Sequence, residues 1–211
     1  MKTPPVEYLR RARRLLDTIR HADFLAPLLL RAYLVPVFWV AGMNKWGTLP
    51  DTIAWFGDPD WGLGLPFPTL LAYLATLSEL GGAVLLGLGL GVRLIAVPLM
   101  VTMGVAALKV HWTHGWQAVA DPLSPFPPEH IAGAMQRLEQ AREILREYGD
   151  YDWLTQTGSF VISNNGIEWA ATYFLMLLVL FFIGGGRYVS ADFWIGRVLA
   201  GTGSNHVHTR A

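Results

Sequence analysis

The sequence predicts an all-α integral membrane protein: a bundle of four membrane-crossing helices with amphipathic helices at the N-terminus and on the external side. Three observations predict it. Of 211 residues, 53% are hydrophobic and 15% charged, and the mean hydropathy is +0.35, too apolar for an ordinary soluble domain of this size. The apolar residues gather in four stretches, Phe24 to Met43, Phe67 to Leu90, Val92 to Val110 and Ile167 to Ile183, each close to the ~20 residues a helix needs to cross about 30 Å of hydrocarbon. The arginines gather in alternate connecting segments, the pattern of cytoplasmic loops.

Helix is the backbone these stretches demand. Lipid offers no partner for an unpaired amide, and the two-residue alternation of a barrel strand is absent. Before the first stretch lie Lys2, Arg10, Arg11, Arg13, Arg14 and Arg20, and after the last lie Arg187, Arg197 and Arg210, so both termini are expected in the cytoplasm. Arg93 sits in the tight turn between the second and third stretches, whereas the first loop carries Asp51, Asp58 and Asp60. The long segment before the fourth stretch holds Arg137, Arg142 and Arg146 against seven acids from Asp121 to Asp152, a balance suited to the outside. Lys plus Arg and Asp plus Glu both number 16, so net charge identifies no partner and nothing indicates nucleic acid; the expected partner is the lipid bilayer. The absence of cysteine excludes disulfide exchange, thiolate metal sites and a cysteine nucleophile. The long polar and basic stretch ahead of the first apolar run does not read as a cleavable signal.

One membrane domain is expected, with a basic cytoplasmic amphipathic segment at 1–23, spans one to three within 24–112, an external segment at 113–164, the fourth span within 165–186 and a cytoplasmic tail at 187–211. In the first segment Val6, Leu9, Leu15, Leu16 and Ile19 recur near helical spacing among arginines, which suits a helix lying on anionic headgroups or a solvated leader equally. Pro36 and Pro98 are expected to bend spans one and three. Gly81, Gly82, Gly87, Gly89 and Gly91 offer span two a smooth face for close packing. In the external segment Pro127 and Pro128 open a helix to Gly149, with Ile131, Met135, Leu138, Leu145 and Tyr148 as its apolar stripe. Gly184, Gly185 and Gly186 end the fourth span, and Ser190 can cap a short interfacial segment containing Asp192, Phe193 and Trp194.

Charged residues inside a bilayer are costly and face the protein interior, where they pair or serve a function. Arg31 and Glu79 are such residues, and at about 1.5 Å per residue their depths differ by only roughly 6 Å, which allows an ion pair. A buried salt bridge that sets helix register is the alternative to a role in binding or proton handling. A second polar group gathers at the external ends: Asn44 and Lys45 after span one, Lys109, His111 and His114 closing span three, and Glu168 opening span four. His111 and His114 stand three apart, which on a helix permits two metal nitrogen ligands; interfacial polar residues are the plainer account. Seven of the nine tryptophans, among them Trp46 and Trp112, fall at or near the external side. They suit an aromatic belt, or the mouth of a site for a flat ring such as a quinone whose carbonyls Lys45, Glu79 and His111 would hydrogen-bond.

In the run Gly42 to Trp46 (GMNKW), in Ser78 to Arg93 (SELGGAVLLGLGLGVR) and in His111, the sequence resembles the DoxX family of small four-span membrane proteins. NNGIEW at Asn164 to Trp169 and GGGRYVSADFW at Gly184 to Trp194 resemble its HvfX branch, encoded beside machinery that modifies copper-binding peptides. The resemblance implies Arg31, Lys45, Glu79 and His111 as a polar core; the residues gathered at the external ends add Asn44, Trp46, Trp112 and Glu168 as candidates around a bound group and His111 and His114 as candidates for a metal. The cofactor stays open, with quinone and copper as the candidates, and the HvfX-like segments point to peptide-modifying or redox enzymes as partners. Three functions stay open: an accessory of a redox or copper-binding-peptide maturation pathway, a quinone-binding subunit of an oxidoreductase complex suggested by Lys45, Glu79 and His111 near the aromatic layer, or a non-catalytic scaffold that anchors soluble enzymes through the basic N-terminus.

Overall fold

The computed structural model describes residues 22–124 and 126–203, together with Glu7, Arg10 and Arg13, which are helical and exposed. Most of the expected basic segment 1–23 and the end of the tail lie outside the described residues. Among the described residues every regular element is helical. They are α1 (Leu25–Gly47), α2 (Leu49–Gly57), α3 (Pro68–Leu88), α4 (Val92–Val105), α5 (His130–Tyr148), α6 (Tyr151–Leu154), α7 (Glu168–Ile183) and α8 (Ala191–Gly203). Beyond Val105 the α4 path continues as a wider π turn, Ala106–His111, and a tight 3₁₀ turn, Trp112–His114.

Three helical runs are long and apolar enough to cross a membrane: Leu25–Gly47, Pro68–Leu88 and Val92–His114. The fourth expected span forms a helix of 16 residues, about 24 Å long at 1.5 Å per residue, and falls short of the other three. Its start is held back because the Ile167 amide donates to Gly115 O at 3.0 Å, and its end is set by Gly184 in the left-handed region at φ 78°.

The chain forms two compact units, Met1–Leu99 with Met176–Ala211, and Met100–Leu175. In the first, α1 and α3 run antiparallel. A Cβ on Gly42 would meet the Leu80 side chain at 2.8 Å, one on Gly87 would touch Val35, and one on Gly89 would run into the Arg31 guanidinium. A Cβ on Gly82 would likewise meet Leu99 of α4 at 2.8 Å. Small residues draw helices together in lipid because packing, rather than apolar burial, drives their association. The inner stripe of α1 is Arg31, Leu34, Phe38 and Gly42, and that of α3 is Ala72, Thr76, Glu79, Ala83 and Leu86, both stepping by three or four residues. Leu29, Leu70 and Leu94 point outward and are exposed. Not every expected glycine belongs to the packing face: Gly81 has open space beside it, and Gly89 and Gly91 take left-handed φ of 66° and 59° to turn the chain into α4.

α8 ties the first unit together. Ser190 Oγ accepts from the Phe193 amide at 3.2 Å, the expected cap. The Asp192 carboxylate reaches across to cap the start of α4, accepting from Gly91 N at 2.7 Å and Val92 N at 3.1 Å, where helix amides are otherwise unpaired.

In the second unit, residues 115–120 run beside residues 162–168 through Ala120 N to Ile162 O (2.9 Å), Asn164 N to Ala118 O (2.8 Å) and Gly166 N to Gln117 O (3.0 Å). The expected external helix is α5; Ile131 and Ala134 pack with Ala120, Met135 and Ile162, and Leu138 is buried. Tyr148, expected on the same stripe, is the last residue of the helix and is 80% exposed.

Candidate functional site

The polar centre of the first unit is an ion pair between Lys45 and Glu79. Lys45 Nζ donates to Glu79 Oε1 at 2.9 Å and to Oε2 at 2.8 Å. Glu79 is 1% exposed on the inner stripe of α3, whereas the Lys45 side chain is 26% exposed. Glu79 is the twelfth of the 21 residues of α3, so the pair lies at mid-height of that helix. Lys45 gets there because α1 ends well short of the start of α3; α2 occupies the remaining length, with Gly57 set against Pro68. The ammonium carries three N–H groups, and two are used on Glu79.

Arg31 does not pair with Glu79. It sits fourteen residues before Lys45 on the same inner stripe, about 21 Å away along the helix, and serves the opposite end of the unit. Its Nη1 donates to Gly185 O at 2.7 Å and its Nη2 to Val189 O at 2.8 Å, while its buried Nε has no partner among the described residues. Arg93 adds a bond from Nη2 to Phe182 O at 3.0 Å. Two guanidiniums therefore satisfy carbonyls at and beyond the C-terminal end of α7, where the helix presents unpaired acceptors and negative dipole. Arg31 thereby binds the GGGRYVSADFW run at the Gly185 and Val189 carbonyls.

The other expected site residues divide between the two units. Asn44 and Trp46 are exposed, on the side of α1 away from its inner stripe. Thr48 Oγ1 donates to Asn44 O at 3.0 Å. In the second unit His111 Nδ1 lies 2.8 Å from Asn165 O; a carbonyl only accepts, so Nδ1 is the donor of this bond. His114 Nδ1 meets Thr113 Oγ1 at 3.4 Å. The shared helical face expected of the two histidines is replaced by the π-to-3₁₀ transition between them. Among the described residues no group of three or more His, Cys, Asp or Glu could hold a metal ion. Trp112 is exposed. Glu168 Oε2 accepts from Ala118 N at 2.9 Å, so its carboxylate fastens the loop before α7.

Asn164 organises that loop, although only its motif drew attention in the sequence. Its Nδ2 donates to His114 O at 2.8 Å and Gln117 O at 2.7 Å, and its Oδ1 accepts from His130 Nε2 at 2.6 Å. Asn165 at φ 58° and Gly166, whose Cβ would strike Gln117 O, complete the turn. The consecutive asparagines before a glycine were the available signal. Gln117 is 4% exposed, and neither polar side-chain atom has a partner among the described residues.

Apolar helices of spanning length around a buried Lys–Glu pair define an integral helical membrane protein. The family model for DoxX matches residues 26–112, a range that contains Arg31, Asn44, Lys45, Trp46, Glu79, His111 and Trp112 and leaves out His114 and Glu168. Inner membrane protein YphA of Escherichia coli (strain K12) is 31% identical over 116 residues, covering 52% of this chain and 78% of that protein. No solved structure matches the chain. The chain belongs to the DoxX family.

Proposed function

We propose that the protein is an inner-membrane accessory of a redox or copper-binding-peptide maturation pathway, and that the Lys45–Glu79 pair is its ligand-binding centre. One observation carries this: a bidentate ion pair at mid-height of an apolar helix whose cation retains a third N–H and is partly exposed. A charge pair inside the bilayer is costly and marks function by default, and the remaining donor suits a carbonyl oxygen. A quinone, apolar in its ring and polar only at its carbonyls, has the matching chemistry. The relative's name places that protein in the inner membrane, which suits the same location here. In this proposal α7 is a fourth, short crossing, with the bilayer thinned around it or its ends drawn inward. Both termini then lie in the cytoplasm, on the side of Arg93 and Arg187.

The test is extraction of the purified protein for quinone, with quinone quenching of tryptophan fluorescence in the wild type and in Lys45→Met. Copurified quinone, and quenching that weakens in the variant, are expected; neither in the wild type refutes the quinone assignment. Fusions of a periplasm-active reporter to either terminus should stay silent, and activity at one end would overturn the four-span topology.

The copper reading rests on a different observation. A metal-binding histidine commonly donates its second ring N–H to a carbonyl, and His111 does so to Asn165 O, leaving Nε2 to a metal. The remaining ligands would come from a bound peptide, since the π-to-3₁₀ transition breaks the shared helical face of His111 and His114. Unchanged peptide modification, copper tolerance and peptide export after deletion of the gene would rule out this pathway.

A further inference from the structure

A cavity of about 770 Å³ opens in the first unit, lined by residues from the beginnings of α1, α4 and α8 and from the loop that ends α7. Its lining combines two cations, one loosely paired acid and an apolar edge. Arg93 spends Nη2 on Phe182 O. Arg187 Nη1 stands 3.8 Å from Asp23 Oδ2, beyond hydrogen-bond length, and both side chains are about half exposed. Asp192, the other acid of the lining, is already occupied by the Gly91 and Val92 amides. Leu94 and Ile183 give the apolar edge; both are exposed, and both belong to strongly apolar helices. Glycines keep the wall thin: a Cβ on Gly186 would strike Pro27 at 2.5 Å, and one on Gly184 would press on Arg93 Nε at 3.3 Å.

We propose that this cavity binds the headgroup of an aminophospholipid of the phosphoethanolamine type. The phosphodiester sits between Arg93 and Arg187, the ammonium meets Asp23, and the acyl chains pass over Leu94 and Ile183. Guanidinium forks fit phosphate oxygens in geometry and charge, and basic pockets beside membrane helices take lipid headgroups. Two cations facing one phosphate and one loosely held carboxylate facing one ammonium match a zwitterion better than a purely anionic group. The acyl chains distinguish a lipid from free phosphate, because Leu94 and Ile183 reward only the former.

The experiment is native mass spectrometry of the full-length, delipidated protein in mild detergent. It is titrated with phosphatidylethanolamine, phosphatidylglycerol and phosphatidylcholine of identical chains, and with inorganic phosphate. Phosphatidylethanolamine should bind most tightly. Arg187→Gln should weaken all three lipids about tenfold, the scale of one lost hydrogen bond to a charged group. Asp23→Asn should weaken phosphatidylethanolamine alone. Arg187 is the deciding cation, since its contact with Asp23 is loose and exposed, whereas Arg93 also caps α7. Arg187→Gln affinities within twofold of wild type overturn the proposal. So does displacement of lipid by inorganic phosphate, which would mark a soluble-phosphate site. Equal affinity of the wild type for all three lipids overturns the assignment of the amine to Asp23.

Discussion

Replacing Lys45 by methionine, comparable in length and uncharged, removes the ammonium that holds both Glu79 oxygens while Glu79 stays 1% exposed on the inner stripe of α3. Removing one partner of a buried ion pair costs about 3–5 kcal/mol, because the other charge is stranded. Proton uptake by the stranded carboxylate sets a ceiling. Neutralising a carboxyl of ordinary pKa, about 4.3, at pH 7 costs about 3.7 kcal/mol at ~1.36 kcal/mol per pH unit. The Lys45 side chain is 26% exposed, so its attraction for Glu79 is partly screened, and the expected loss falls to about 2–3 kcal/mol. Glu79→Gln alone should cost less, since an unpaired lysine can extend its ammonium towards a polar surface. The double variant should regain most of the Lys45→Met loss, a coupling of about 2–3 kcal/mol. The assay is equilibrium unfolding of the four proteins in mixed detergent micelles at pH 7, followed by tryptophan fluorescence. An infrared band of a protonated carboxyl, present in Lys45→Met and absent from the double variant, provides an independent readout. Additive single losses, or a Lys45→Met protein within about 0.5 kcal/mol of wild type, would refute the coupling.

Arg31→Lys should not rescue Arg31→Met: both lose the fork that reaches Gly185 O and Val189 O, each bond contributing about 1.5–3 kcal/mol. Limited proteolysis should then cut residues 184–190 faster in both variants, and protection in Arg31→Lys would contradict the fork. Asn164→Ala removes the three side-chain bonds to His114 O, Gln117 O and His130; amide exchange should accelerate at 164–168, with α3 unchanged. Asp58 accepts from the Trp61 amide at 3.1 Å and the Asp60 amide at 2.8 Å, which hold its carboxyl below the ordinary aspartate range. Its contribution to the loop before α3 is therefore complete above the ordinary value and disappears as pH falls through the lowered one. An acid titration of tryptophan fluorescence should lose that step in Asp58→Ala, and a step that persists would assign it to another group.

The sequence was most informative about what hydrocarbon dictates. Uninterrupted apolar runs force helices because every amide must be satisfied within its own segment, and Leu25–Gly47, Pro68–Leu88 and Val92–His114 follow directly. Arg31 and Glu79 were recognisable as inward-facing for the same reason, and both are buried. The helix after Ser190 was legible from its cap; α2 was not, since Leu49–Gly57 looks like a loop containing Pro50 and Asp51.

By itself, then, the sequence determined the class of protein, the approximate extent of its apolar helices and the scarcity of charge within them. Tertiary structure alone decided which charges meet. Position along a helix gives depth but not azimuth or the offset between helix ends, so Arg31 and Glu79 looked compatible, although Lys45 was the residue carried to Glu79. Helices apolar on every side show little periodicity, so the packed face is selected by small residues such as Gly42 and Gly82, whose partners Leu80 and Leu99 come from another helix. The carbonyls that claim Arg31 lie 154 and 158 residues away in sequence, and only the folded chain brings them within reach.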